Sequence, residues 1–363
     1  MSSHPYANLP TRAHWRRSIS RVPYSEVDPV GTPRFTISPV DKVATAGSCF
    51  AQHIARRLHD SGFHYFIAES AHPIFSQHLA REFTYGVFSA RYGNIYTSRQ
   101  LVQLFDRAYG SFSPAEDYWP EADGSFADPF RPACNPGGYA SVEELRADRE
   151  QHFAAVRRMF EELDVFVFTL GLTECWLSRE DGSAYPVCPG TAAGSFDPAK
   201  YEFANFGVIE VVADMEGFLD RLKSVNPSAR VILTVSPVPL VATAEDRHVL
   251  TSTTLSKSVL RAAADVISRA HPHVGYFESY EIITGNFNRG RYFGDDLREV
   301  TEEGVNHVMR LFLKHYAGVD SGAEAAAPQA EADDFLVRTT AAMAVMCEEE
   351  ALGVAERSTS SFT

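Results

Sequence analysis

Residues 42–58 read KVATAGSCFAQHIARRL, and this stretch decides the fold. Lys42 to Ala46 form an apolar segment of the length and character of a buried strand. A helical pattern begins at Gln52 and continues through Leu58. The five residues between, Gly47-Ser48-Cys49-Phe50-Ala51, leave room only for a sharp turn from strand to helix. Such a junction predicts that strands and helices alternate along the chain.

The rest of the sequence continues this alternation. Further strands are predicted at residues 64–68, 164–170, 230–235 and 274–277, and helical patterns lie near 50–61, 142–162, 208–224, 255–270 and 302–316. Together they predict an α/β fold with a mostly parallel sheet that is covered on both faces. Two long stretches, 110–140 and 178–206, contain Gly and Pro and are predicted to be insertions or lids.

The two ends of the chain differ from this regular part. Residues 1–40 are rich in Pro, Ser and Arg and are predicted to be an N-terminal arm on the surface, followed by the main domain at 41–319. Residues 320–363 form an Ala/Glu-rich tail with a candidate helix from Asp333 to Ala351. That helix would either pack on the chain's own core or dock a protein partner.

Composition excludes several classes of protein. The 363 residues include 33 basic and 47 acidic ones, a net charge of -14, which argues against a nucleic-acid partner. No apolar run is long enough for a membrane span, and no secretory signal is recognisable at the N-terminus. We therefore expect a cytoplasmic location. The five cysteines are widely spaced and odd in number, so we expect their thiols to be reduced.

The strand-to-helix turn can hold a nucleophile. A small side chain there projects above the sheet, where the free N–H groups and positive end of the helix favour a thiolate or an oxyanion. A structural interpretation remains open, because Ser48 is also a good N-cap and cysteines are often simply buried.

Other polar motifs also follow predicted strands. Gly171-Leu172-Thr173-Glu174 comes directly after the strand at 164–170, and residues 236–239, Ser-Pro-Val-Pro, follow the next one. A further polar cluster at 295–301 precedes the last helix. Because ligands of open parallel sheets bind at the carboxyl ends of the strands, these motifs predict one site at that edge.

These residues resemble those of the GSCFA family, which is related to the SGNH/GDSL hydrolases; the similarity runs from about Val43 to Tyr316. The resemblance implies a three-layer α/β/α sandwich of flavodoxin-like type that acts on acyl esters, often O-acetylated sugars. In SGNH hydrolases a first block, Gly-Asp-Ser, carries the nucleophile, and a Gly-x-Asn block lends an oxyanion donor. A late Asp-x-x-His block supplies the base and its carboxylate partner.

Aligning the glycines of the first block with Gly47 places Cys49 at the position of the nucleophile. Ser48 is the alternative nucleophile, or a contact to the oxyanion. Gly171 and Thr173 match the second block, with a hydroxyl in place of the amide. Gly93-Asn94 offers a further backbone donor, although a plain turn explains it better.

The late block departs from the resemblance. Asp296-Leu297-Arg298-Glu299 has the Asp-x-x-His spacing, but Glu299 occupies the histidine position. A carboxylate with an ordinary pKa of about 4.3 is a poor base toward a thiol. His248 is the alternative base, because its loop leaves the carboxyl edge of the sheet. His307 is the other, although its spacing predicts a surface pair with Glu303.

Two further residues beside the motifs are candidates for substrate contact. Glu174 could orient a donor, and it has no partner at metal-ligand spacing, so no metal is predicted. Trp176 suits a sugar or acyl chain, but a chain with 12% aromatic residues places some there regardless.

The sequence therefore predicts an enzyme that needs no cofactor. It would hydrolyse or transfer an acyl group on an O-acylated saccharide or similar polar metabolite, through a covalent acyl-enzyme. The alternative is a catalytically inactive binding protein for a glycan or peptide, supported by Glu299. A third hypothesis is an acyltransferase subunit of a polysaccharide-assembly system that docks through its C-terminal tail.

Overall fold

The computed structural model describes residues 4–319, with the side chains of residues 59 and 60 excepted. The helices are α1 (Phe50–Asp60), α2 (Gln77–Glu82), α3 (Ser98–Ala108), α4 (Val142–Glu162), α5 (Val208–Val225), α6 (Val249–Ala270), α7 (Ser279–Thr284) and α8 (Glu302–Tyr316). The strands are β1 (Val43–Gly47), β2 (Trp119–Pro120), β3 (Phe126–Ala127), β4 (Val165–Leu170), β5 (Glu174–Ser178), β6 (Ala184–Tyr185), β7 (Tyr201–Asn205), β8 (Arg230–Val235) and β9 (Val274–Tyr276).

The central sheet is parallel, in the order β1-β4-β8-β9. The prediction of a strand at 64–68 is wrong. In that segment only Tyr65 forms a β-bridge, a single parallel one to Val43 at the outer edge of β1. Counting that bridge, the order is that of flavodoxin-like folds, in which the second strand lies outside the first. All the carboxyl ends of the strands therefore meet at one edge.

Helices cover both faces of the sheet, as predicted. Side chains of a strand alternate between its faces, and alternate β4 residues accordingly enter different apolar clusters. Phe166 and Phe168 pack with residues of α3, α4, α5 and α6, whereas Val165 and Val167 pack with residues of α1, α7 and α8. The result is a three-layer α/β/α sandwich in which the sheet is buried between two helical layers.

Most predicted element boundaries agree with the structure. The helices at 142–162 and 302–316 and the strand at 230–235 have the predicted bounds. The predicted start of α6, residue 255, is six residues after the observed start at Val249. The first turns of this helix are rich in Thr and Ser, which have weak helix propensity. The sequence analysis missed α3, although Thr97 and Gln100 form a capping box at its start.

The two long stretches contain more regular structure than expected. β5, β6 and β7 form a separate antiparallel sheet, and β2 pairs with β3 in a short antiparallel ladder. Trp119 of β2 packs with Tyr185 of β6 in a small aromatic cluster of their own. Strands of two residues carry too little periodic signal to be recognised in a sequence.

The N-terminal segment lies against the end of the sandwich. Asp28 pairs with Lys314 at 2.9 Å and with His315 at 2.8 Å, and the N–H of Ile37 donates to the carbonyl of Tyr316. The predicted tail helix at 333–351 lies outside the described residues. Within residues 4–319, no helix combines the length and apolar character that crossing a bilayer requires.

Candidate functional site

Gly47 makes the turn at the end of β1 possible. Its φ is +134°, and a Cβ atom there would stand 2.3 Å from the carbonyl oxygen of Thr169 in the neighbouring strand. The next residue, Ser48, donates its N–H to that same oxygen at 3.2 Å. Only glycine allows the backbone to approach β4 this closely while it leaves the strand.

The turn carries polar groups that are buried and unpaired. Ser48 and Cys49 are 3% and 4% exposed, and Phe50, the first residue of α1, is 1% exposed. Ser48 Oγ has no hydrogen-bond partner, and no acceptor within residues 4–319 faces the N–H of Cys49 or of Phe50. The positive end of the helix dipole adds to these two donors. The turn is therefore prepared to accept an anionic oxygen.

The segment 93–96 runs beside the turn. Gly93 has a φ of +69°, which is typical of a turn. Asn94 accepts a long hydrogen bond from Gln52 Nε2 at 3.5 Å, and the N–H of Ile95 donates to the carbonyl of Gly47 at 2.8 Å. Asn94 thus contacts the helix that follows the turn, and the role of Gly93-Asn94 as a backbone donor stays a prediction.

Gly171 packs directly against the turn. A Cβ atom built on it would stand 3.0 Å from Ser48 Cβ and 3.0 Å from the carbonyl oxygen of Tyr96. Its own carbonyl accepts a hydrogen bond from Lys257 Nζ at 2.7 Å, and Lys257 is only 2% exposed. This buried cation therefore contacts Gly171, the residue that packs against Ser48.

The donors of the Gly171–Thr173 loop are all engaged. The N–H groups of Gly171 and Leu172 both donate to Tyr96, at 3.1 and 2.8 Å. Thr173 donates its N–H to Ser256 Oγ at 3.1 Å and its hydroxyl to Asn205 Oδ1 at 2.7 Å. In this arrangement the loop holds its own shape and has no donor left for an oxyanion.

Glu174 and Trp176 begin the antiparallel sheet next to this loop. Glu174 accepts a hydrogen bond from Thr243 Oγ1 at 2.8 Å, and burial raises the pKa of its carboxyl group. The Trp176 ring packs edge-on to Phe196 and Phe203, with centroids 5.0 and 5.7 Å away. Within the described residues, no group of three or more His, Cys, Asp or Glu is arranged to hold a metal.

The family model that matches this chain is that of the GSCFA family, over residues 42–312. The chain belongs to the GSCFA family. The five residues that name the family are those of the turn described above, 47–51. No curated protein matches this chain.

One solved structure that this GSCFA protein is similar to is an acetyl xylan esterase, Est2A, from the rumen bacterium Butyrivibrio proteoclasticus. The two share 12% sequence identity, and the alignment covers 77% of this chain and 64% of that chain, with a TM-score of 0.27. This GSCFA protein thus spans under two thirds of the length of that esterase, and a likeness this low carries no argument about activity.

Neither of the two histidines considered as bases is hydrogen-bonded to Ser48 or Cys49 of the GSCFA turn within residues 4–319. His248 is exposed and caps α6, where its Nδ1 accepts the N–H of Leu250 at 3.1 Å. His307 is buried and hydrogen-bonds through Nδ1 with the hydroxyl of Tyr292 at 2.6 Å; burial lowers its pKa to about 4. The expected surface pair of His307 with Glu303 is wrong, because Glu303 instead accepts the hydroxyl of Tyr24.

The late block of this GSCFA protein forms an exposed turn. Asp296 Oδ1 accepts hydrogen bonds from the N–H groups of Arg298 and Glu299 at 3.0 and 2.9 Å. Leu297, which follows Asp296, has a φ of +56°. No contact joins Asp296 or Glu299 to Ser48 or Cys49 among the residues that the structure describes. Their catalytic roles stay predictions.

His53 is an imidazole that the sequence analysis missed. It stands one helical turn after Cys49 in α1, and its ring lies 5.6 Å from that of Phe50. Burial, together with Arg56 and Arg57, lowers its pKa to about 4, so the ring is neutral at pH 7. The signal was available, since a spacing of four residues places side chains on one side of a helix.

Proposed function

We propose that this chain is an acyl-ester hydrolase or acyltransferase that uses Cys49 as its nucleophile, with Ser48 as the alternative. The observation that carries the proposal is the set of three unpaired polar groups at the buried turn: Ser48 Oγ and the N–H groups of Cys49 and Phe50. Buried backbone donors almost always have partners. An acyl oxygen that becomes negative during attack would supply the missing acceptor.

The proposed reaction has two steps. The sulfur of Cys49 attacks the acyl carbonyl, a C–S bond forms, and the carbonyl electron pair moves to the oxygen, which the two N–H groups receive. Collapse of this intermediate expels the alcohol, which takes up a proton. Water or an acceptor hydroxyl then attacks the thioester, and the acyl group leaves as an acid or a new ester. The expected substrate is an O-acylated saccharide or a similar polar metabolite.

The attack requires a base for the thiol proton. His53 is our first candidate, since it is neutral at pH 7 and follows Cys49 by one turn of α1. His248 would have to give up its capping bond to Leu250 and move toward the turn. We assign Gly171 and Thr173 to the positioning of Ser48 and not to the oxyanion. Their donors already have hydrogen-bond partners, and Gly171 packs against the Ser48 side chain.

Hydrolysis of p-nitrophenyl acetate, and acyl transfer from acyl-CoA, test this proposal. We expect turnover by the wild type and a loss of at least about a hundredfold in Cys49→Ala. The matched control is Cys175→Ala, which removes another buried thiol whose pKa burial raises to about 12. Equal turnover by the wild type and a Cys49→Ala/Ser48→Ala double variant would contradict the proposal.

The second candidate function is a catalytically inactive binding protein for a glycan or peptide. Two observations favour it: Glu299 stands where a histidine is expected, and Ser48 and Cys49 are almost fully buried. Calorimetry with acetylated and unmodified oligosaccharides separates the two functions. Binding without release of acetate over prolonged incubation would support the binding protein.

A further inference from the structure

Arg107 in α3 is a buried cation without a counter-ion contact. It is 7% exposed, and its guanidinium carbon lies 3.6 Å from the centroid of Phe130 and 5.2 Å from that of Phe153. Its Nε has no hydrogen-bond partner, and no carboxylate within residues 4–319 lies within ion-pair distance of it. An unpaired charge is costly to bury, so the folded protein needs something there that offsets it.

A small cavity lies beside Arg107. Its volume is about 20 Å³, and Arg131 and His152 share its lining, together with the amide side chains of Asn94, Gln100 and Gln103. Arg131 and His152 are 3% and 1% exposed, and Arg131 Nη1 and His152 Nε2 also lack partners. Three buried side chains that line this cavity therefore each carry a nitrogen atom without a hydrogen-bond partner.

The carboxylates of this region are engaged away from the cavity. Asp128 accepts hydrogen bonds from Arg131 and Arg149, and Asp148 accepts one from Arg131 Nη2 at 2.9 Å. Glu69 contacts His152 Nδ1 at 2.7 Å. None of these acids is among the residues that line the cavity. The lining is thus cationic, although acids lie behind it.

We propose that this cavity is a binding site for a chloride-sized monovalent anion. The volume of about 20 Å³ admits one small occupant, so a monatomic halide fits it better than the larger sulfate or phosphate. Arg107 and Arg131 supply charge-assisted donors. His152 adds a third donor only when doubly protonated, because its Nδ1 proton is directed to Glu69; the two guanidinium groups therefore carry the site. Asp128 and Asp117 attract Arg107 without contacting it, and a neutral water would add no further negative charge beside it.

The site is independent of the proposed acyl chemistry but lies next to the same backbone. Ile95 lines the cavity, and its N–H donates to the carbonyl of Gly47 at the GSCFA turn. An anion in the cavity would therefore stabilise the segment that flanks the turn. We expect slower hydrogen exchange at the Ile95 amide in chloride than in gluconate.

Thermal unfolding of the full chain in chloride, bromide or gluconate, at one pH and ionic strength, tests the proposal. We expect the Tm to rise saturably with chloride and bromide, since ligands that bind only the native state stabilise it. Arg107→Met removes the unpaired charge, so the variant should lose the halide dependence and exceed the wild type in Tm in gluconate. Arg179→Gln, which removes a half-exposed arginine paired with Glu202, is the matched control and should keep the dependence.

Crystals of the wild type grown in bromide give a readout that does not depend on any variant folding. The anomalous signal should show bromide within hydrogen-bond distance of Arg107 and Arg131. A cavity that holds only water in bromide, together with equal Tm values in halide and gluconate, would overturn the proposal.

Discussion

Gly171 packs against Ser48 at the ends of two neighbouring strands: a Cβ atom at Gly171 would lie 3.0 Å from Ser48 Cβ. Ser48 follows β1 and Gly171 follows β4, the neighbouring parallel strand. Two motifs that are more than a hundred residues apart thereby form one wall, and the buried Lys257 holds the carbonyl of Gly171 in place. The contact explains why the second motif starts with glycine.

Gly171→Ala should disturb the turn. Its new methyl group presses on Ser48 Cβ and the Tyr96 carbonyl, contacts tighter than side chains normally make, so we expect a loss of about 1–3 kcal/mol in the free energy of unfolding. Urea unfolding measures this loss. Gly31→Ala is the control, since its nearest neighbour, Glu278, is 3.9 Å away. Equal stability of the two variants would contradict the packing described here.

Gly47→Ala should be more damaging than alanine at a glycine with open space around it. At Gly47 the Cβ would collide with backbone atoms of Thr169, whereas Gly124 also has positive φ, +88°, but nothing within 4 Å. We expect Gly124→Ala to cost about 1–2 kcal/mol from its conformation alone. Gly47→Ala should prevent folding or cost clearly more, as circular dichroism and urea unfolding will show. A cost no larger than that of Gly124→Ala would refute the close approach of β1 and β4.

Protonation of His307 should destabilise the protein in mild acid. Its pKa is about 4 in the fold and about 6.5 when unfolded, so the unfolded chain binds more protons between these values. Its contribution is complete above pH 6.5 and decreases by about 1.4 kcal/mol per pH unit as the pH falls toward 4. Urea unfolding of the wild type and His307→Gln from pH 7 to 4 measures it. The variant should lose part of the slope; identical slopes would argue that His307 titrates normally.

Asp128→Asn should be strongly destabilising. Asp128 is 1% exposed and contacts the buried Arg131 and Arg149, whose charges lower its pKa despite its burial. Removing one partner leaves buried charge uncompensated, which typically costs about 3–5 kcal/mol. The exposed Asp123→Asn is the control. Chemical denaturation should separate the two variants, and a difference below about 1 kcal/mol would contradict the account of this cluster.

The strands that the sequence predicted best are those buried on both faces. The runs at 165–170 and 230–235 are apolar except for Thr169, Arg230 and Thr234, because helices cover both sides of them, and this pattern is hard to mistake. β5 and β7 lie at 174–178 and 201–205, and their pairing depends on contacts across a long loop. Such pairing leaves little local signal, so the separate antiparallel sheet could not be predicted.

The sequence predicts the part of the site that depends only on which motifs directly follow strands. Placing Gly47 and Gly171 at the same edge of the sheet requires only that the strands are parallel, whereas their adjacency depends on the strand order. The surroundings of the histidines could not be predicted in this way, because His307 is buried by Tyr292, fifteen residues earlier, and His248 is used as a helix cap. Arg107 looks like an ordinary surface residue of a helix until Phe130 and Phe153 enclose it.

Trapping of the acyl-enzyme tests the central claim most directly. The protein is mixed with p-nitrophenyl acetate and quenched in acid within the first turnover, and its peptides are analysed by mass spectrometry. The account predicts one acetyl group on the peptide that contains residues 48 and 49, localised to Cys49 or Ser48, and none there in the Cys49→Ala/Ser48→Ala variant. Steady hydrolysis with acetyl groups only on surface lysines, or an unmodified turn during turnover, would contradict it.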